Sequence, residues 1–102
     1  MIIYNITVSV EESIRNDWLE WMKSVHIPEV MACGIFIKAQ INRVVSEGDS
    51  NYTYAIAYQC ASMKDLHKYQ IHFAAELQKK HISRYNDKAV AFRTVMEIIE
   101  EF

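Results

Sequence analysis

Turn-forming residues and cysteines are scarce in this chain: two glycines, one proline and two cysteines among 102 residues. So little punctuation in a chain of this length matches one domain, residues 1–102, built around one core. Cys33 and Cys60 stand far apart with no second pair. That excludes a disulfide scaffold and points to a reducing, cytoplasmic compartment, with both thiols as small core residues. No stretch approaches 18 consecutive apolar residues, and the segment Met1–Ser13 carries no basic region ahead of its apolar residues. The expectation is a protein neither exported nor membrane-spanning. Charge of one sign is lacking as well: 11 Lys and Arg against 13 Asp and Glu are mixed along the chain. With no basic stripe to neutralise phosphates, nucleic acid is not an expected partner. No glycine-rich phosphate loop, paired-carboxylate motif or Ser/His/Asp order is recognisable.

What is present is pattern. Hydrophobic residues make up 51% of the chain. Over residues 1–10, Ile2, Tyr4, Ile6, Val8 and Val10 alternate with Asn5, Thr7 and Ser9, which predicts a half-buried strand. From Glu11 or Glu12 the spacing changes to three and four: Ile14, Trp18, Trp21, Met22 and Val25 form a helical stripe opposite Arg15, Asn16, Glu20 and Lys23. Pro28 is expected to end that helix and Gly34 to mark the turn that follows. Alternation returns over Ile35–Val45, with Ile35, Ile37, Ala39 and Ile41 set against Phe36, Lys38, Gln40 and Asn42. The turn cluster Glu47–Asn51 predicts a hairpin to a third strand over Tyr52–Ala61, with Tyr54, Ile56 and Tyr58 on one side and Ala55, Ala57 and Gln59 on the other. Ser62-Met63-Lys64-Asp65 reads as the capped start of a second helix, with Leu66, Tyr69, Phe73 and Leu77 as its apolar stripe. A last strand over Val90–Ile99 is expected to turn Val90, Phe92, Met96 and Ile98 inward and Arg93, Val95 and Glu97 outward. The two halves repeat one another, down to His26-Ile27 and His81-Ile82. That order predicts an α+β, ferredoxin-like βαββαβ sandwich: a four-stranded antiparallel sheet with two helices on one face and strand order 4-1-3-2.

Two helices cover only one face of such a sheet, so the second is exposed or shared. It is expected to carry Ile3, Asn5, Thr7 and Ser9, the small Ala55 and Ala57, and at its margins Lys38, Gln40, Gln59, Arg93 and Glu97. Small central residues flanked by larger polar ones suit a homodimer interface, or a pocket closed by dimerisation. In such a pocket Arg93 and Lys38 would hold an anionic group by charge-assisted hydrogen bonds, with Gln40 and Gln59 beside them.

Trp18-Leu19-Glu20-Trp21-Met22, His26-Ile27-Pro28-Glu29-Val30, Gly34 and Val90-Ala91-Phe92-Arg93-Thr94 resemble a small bacterial family catalogued as a domain of unknown function. The likeness covers the whole chain and lies within the dimeric α/β-barrel group, whose members pair two ferredoxin-like domains sheet to sheet. It implies the fold, a homodimer and a cytoplasmic home, but brings no activity or catalytic residues. The wider group includes small monooxygenases, chlorite-dismutase-type enzymes, muconolactone isomerases and regulatory ligand-binding domains, so fold does not choose a function.

Histidine is the side chain best suited to proton transfer or metal binding at neutral pH. His67 and His72, five apart, lie about 140° apart around a helix and cannot form a local two-histidine site. His26 and His81 are read chiefly as caps of helix-end carbonyls, with acid-base work or haem-type ligation as the lesser reading of both, and His26 is also a candidate ligand-binding residue. Trp18 and Trp21 are read as core. No metal and no cofactor is expected. The reading is a homodimer that binds a small ligand or a protein on its open sheet face. The rival is a cofactor-free barrel enzyme in which His26, Arg93 or a tyrosine moves a proton on a small aromatic or anionic substrate. A third reading is a structural partner in a larger assembly, in which case the open face is flat and filled.

Overall fold

The computed structural model describes residues 1–45 and 52–102. The expected turn cluster Glu47–Asn51 lies outside the described residues. Four antiparallel strands, β1 (Ile2–Val10), β2 (Lys38–Arg43), β3 (Tyr52–Cys60) and β4 (Ala89–Glu97), form one sheet in the order β2-β3-β1-β4. This is the strand order expected from the repeat. β1 and β3, with the cleanest alternation, are the two central strands and pair along their whole length, from Ile2 opposite Cys60 to Val10 opposite Tyr52.

Both helical stretches are divided. The first begins as a 3-10 turn (Glu12–Ile14), becomes α1 (Arg15–Trp21), widens into a π turn (Met22–His26) and continues as α2 (Ile27–Ala32). Pro28 therefore does not end the helix. The Ile27 amide donates to the Met22 carbonyl five residues back, and Pro28 falls in the first turn after this widening. A missing amide hydrogen is tolerated at such a position. The chain leaves α2 through Gly34, whose φ of +80° lies in the left-handed region. The second stretch is α3 (Met63–His72) and α4 (Ala74–Tyr85), separated at Phe73, where φ is −128°. Ser62 caps α3: its Oγ accepts from the Asp65 amide at 3.2 Å.

The helices cover one face of the sheet. Ile2, Tyr4, Val8 and Val10 of β1 and Tyr54, Ile56, Tyr58 and Cys60 of β3 meet Trp18, Met22, Val30, Leu66, Tyr69, Ala74 and Leu77 in a single core. Phe36 joins it, 6% exposed and packed against Tyr4, Tyr58 and Tyr69, while Ile37 is 56% exposed. The alternation predicted for Phe36 and Ile37 is thus reversed, because β2 begins only at Lys38 and the preceding residues are loop.

The larger correction concerns β4. Its register places Ala91 opposite Val8, Arg93 opposite Ile6 and Val95 opposite Tyr4. Neighbours across a sheet point the same way. Ala89, Ala91, Arg93, Val95 and Glu97 are therefore on the helix side, and Val90, Phe92, Thr94 and Met96 are on the open face. Every side-chain direction expected for this strand is inverted, as a one-residue phase error requires. Phe92 is 63% exposed, Val90 59% and Met96 42%.

Candidate functional site

Five residues were candidates for ligand binding: Arg93, Lys38, Gln40 and Gln59 on the open face, and His26 in the first helical stretch. The structure divides them between the two faces. Lys38 pairs with Gln59, and Gln40 with Ala57. Together with Ile3, Ala39 and Tyr58 these residues line an open-face groove of about 190 Å³. Four polar side chains of this face are engaged locally. Gln40 donates to Asn42 at 3.3 Å, Asn42 to the Ala55 carbonyl at 3.1 Å, and Asn5 to Thr7 at 3.0 Å.

Arg93 and His26 come together on the other side of the sheet. They line a cavity of about 30 Å³ between sheet and helices, whose walls also include Ile6, Tyr58, Tyr69, Gln78 and His81. Its lining runs from Tyr58, 1% exposed, to Arg93, which is exposed on the edge strand. His26 is 8% exposed, and its Nδ1 and the Tyr58 hydroxyl are buried without a hydrogen-bond partner. Buried polar atoms are nearly always paired, so two orphans on one cavity leave hydrogen-bonding capacity that a water or another small polar group would satisfy.

The helix geometry explains how His26 arrives there. In the π turn, Met22 and His26 at its two ends are both buried, whereas Lys23, Ser24 and Val25 between them are exposed. The wider turn stacks two residues four apart on the inward side. Regular α spacing had suggested Val25 for that place, yet it is 39% exposed. The His26 ring stacks on Trp21 with centroids 4.7 Å apart, and His81 approaches it from α4 at 5.9 Å. The repeat seen in the sequence thus brings its two histidines face to face. Neither is a carbonyl cap: His26 lies within a continuous helical stretch, and His81 lies inside α4, where its Nε2 accepts from Trp18 Nε1 at 2.9 Å.

Electrostatically the site favours neutral imidazoles beside one cation. Burial, helped by His81 and Lys80 and opposed by Glu29, pulls His26 from 6.5 to about 4. Burial and then Arg93 pull His81 down as well. Burial raises the Tyr58 and Tyr69 hydroxyls, so both stay protonated. Among the described residues no carboxylate lies within ion-pair distance of Arg93; the two ion pairs found are Lys80 with Glu29 and Arg84 with Asp17. Both of those tie the helices to one another, and Tyr85 reinforces the second by donating to Asp17 at 2.8 Å. No group of three or more His, Cys, Asp or Glu among the described residues is placed to hold a metal ion. Sequence reasoning missed Tyr69 as lining of this cavity. His81 had only the lesser acid-base or ligation reading it shared with His26, on the strength of its place in the repeat. None of the described helices is long and apolar enough to cross a membrane.

Solved structures similar to the chain share its fold. A dimeric ferredoxin-like protein from an uncultured marine organism superposes with a TM-score of 0.72 at 13% identity, covering 99% of this chain and 97% of its own. HapK from Hahella chejuensis superposes at 0.73 with 8% identity, covering 100% and 96%. An EthD family protein from Bacillus halodurans superposes at 0.69 with 13% identity, covering 97% and 100%. No curated protein matches in sequence. The model of DUF4286, a domain of unknown function, matches residues 1–99, and the chain belongs to that family.

Proposed function

We propose that this protein is a cytoplasmic homodimer joined through the open sheet faces, and that each protomer binds a small anionic molecule in the cleft between its helices and its sheet. The observation that carries the ligand reading is the pair of orphaned atoms, His26 Nδ1 and the Tyr58 hydroxyl, on one cavity with Arg93 at its outer end. A space of about 30 Å³ admits one water-sized group. One oxygen of the ligand enters it, and the rest of the molecule lies along β4, where Arg93, Val95 and Glu97 are left uncovered by the helices. The dimer reading is supported by Val90, Phe92 and Met96 on the open face, an exposed apolar strip that a second copy would bury. One structural neighbour is itself described as a dimeric ferredoxin-like protein.

The test is native mass spectrometry of protein purified gently from cells, followed by denaturing spectra of the same sample. The expected result is a dimer carrying an added small mass that is released on denaturation. A dimer without added mass, even after incubation with small carboxylates, overturns the ligand reading and leaves the cavity to a buried water. A monomer overturns the dimer.

A further inference from the structure

Trp18 is fully buried, yet its indole has a fixed partner: Nε1 donates to Nε2 of His81 at 2.9 Å. An indole nitrogen only donates. His81 Nε2 must therefore present a lone pair, and the ring's single proton in the neutral state resides on Nδ1. Protonating the ring would place a second hydrogen on Nε2, facing the indole N–H, and would break this bond. Burial and the Arg93 cation of β4 oppose the imidazolium further. No protein acceptor among the described residues takes the Nδ1–H, and His81 lines the cavity where His26 Nδ1 and the Tyr58 hydroxyl are orphaned.

We propose that Trp18 is a positioning residue that holds His81 as a neutral Nδ1–H donor toward the cleft, so that the cleft selects ligands presenting an acceptor oxygen, a carboxylate or an enolate, over ammonium-bearing ones. This rests on the ligand site proposed above and specifies its chemistry. His81, Arg93 and Tyr58 line the same cavity, so the Nδ1–H, the guanidinium and the phenol O–H would be its donors. A ligand cation would meet Arg93 and a ring that offers hydrogen rather than a lone pair.

The experiment is long-range ¹H–¹⁵N NMR on uniformly labelled protein, which reads the tautomer of each histidine directly, with benzoate and benzylamine as probes. In the wild type, His81 is expected as the Nδ1–H tautomer, and benzoate should shift its Nδ1 resonance while benzylamine does not. Trp18→Phe should release the ring to a mixture containing Nε2–H and weaken benzoate about tenfold, the loss expected for one hydrogen bond to a charged group. An Nε2–H ring in the wild type overturns the proposal without any variant, should Trp18→Phe fail to fold. So does an unchanged tautomer in a folded Trp18→Phe, or a changed tautomer with unchanged benzoate affinity. If the wild-type tautomer is as expected and benzoate still does not bind, the ligand site falls and the tautomer assignment stands.

Discussion

The two faces of the sheet are short of opposite things. On the helix side, apolar packing is nearly complete, with Val8, Ile56, Leu66 and Trp18 at or below 1% exposure, while two polar atoms have no partner. On the open side Asn5, Thr7, Gln40 and Asn42 are bonded along and between strands, while Phe92, Val90 and Met96 stand in solvent. An orphaned polar atom in a closed space calls for a small polar guest, whereas an exposed apolar strip calls for a broad apolar surface. One sheet thus separates a ligand-sized deficiency from a protein-sized one. β4 connects the two, because alternation sends Arg93 to one and Phe92 to the other.

The sharpest way to test this contrast is to remove apolar volume from each face. Leu66→Ala, at a fully buried position, should cost about 2–5 kcal/mol in denaturant unfolding, since the void cannot refill. Phe92→Ala should change the unfolding of the dilute monomer by no more than about 0.5 kcal/mol. Equal losses at the two positions would mean that the open face is part of the folding core.

Acid should act through the helix side. His26 titrates at about 4 in the folded chain against 6.5 as a free side chain. Between these values the unfolded chain binds a proton that the folded one does not. Stability is therefore complete above about pH 6.5 and is lost as pH falls toward 4, by on the order of 3 kcal/mol. His81, lowered by burial and by Arg93, adds in the same direction. Unfolding midpoints measured from pH 7 to 4 should show this loss, and His26→Gln should remove most of it. A His26→Gln profile parallel to the wild type would place the acid sensitivity elsewhere.

Charge on the open face should separate protomers without unfolding them. Phe92→Asp is expected to weaken self-association by at least about 2 kcal/mol, roughly thirtyfold, in sedimentation equilibrium, with an unchanged far-ultraviolet spectrum. A dimer of unaltered affinity would show that the protomers meet elsewhere.

How much of this could be read from the chain depends on what each pattern reports. In β1 and β3 the alternation of Ile2, Tyr4, Val8, Val10 and of Tyr54, Ile56, Tyr58 gave the inward face correctly, because both central strands are buried on that face by helices. In β4 the same logic failed. Val90, Phe92 and Met96 are the more apolar set, but apolar character records burial against any surface, and at an edge strand the helix layer needs only Ala89 and Ala91. Phe36 was misplaced because alternation does not show where a strand begins. His26 could not be placed from spacing, since a π turn leaves no periodic mark and shifts which residue faces inward. Lys38, Gln40 and Gln59 were correctly grouped on the open face; Arg93 and His26 were grouped with each other by neither pattern nor motif, only by the fold.

The smallest expected effect separates the faces most cleanly. Arg93 and Lys38 are two cations on outer strands of the same sheet, and the sequence placed them together. The register sends Arg93 to the helix-side cleft beside Ile6 and Lys38 to the open groove beside Gln59. If anions bind in the cleft, Arg93→Ala should weaken benzoate by about 1.5–3 kcal/mol in calorimetry, the value of a hydrogen bond to a charged group. Lys38→Ala should leave it within about 0.5 kcal/mol, the shift expected of a surface residue that touches nothing in the site. The reverse pattern would move the ligand to the open face and leave His26 Nδ1 and the Tyr58 hydroxyl as a buried water site. Equal losses would indicate attraction by net charge alone, and that possibility has its own signature, because long-range attraction between exposed charges fades as salt is raised toward 1 M. A direct hydrogen-bonded contact through Arg93 at the mouth of the cleft, being short-range, should retain more of its difference from Lys38 under the same salt.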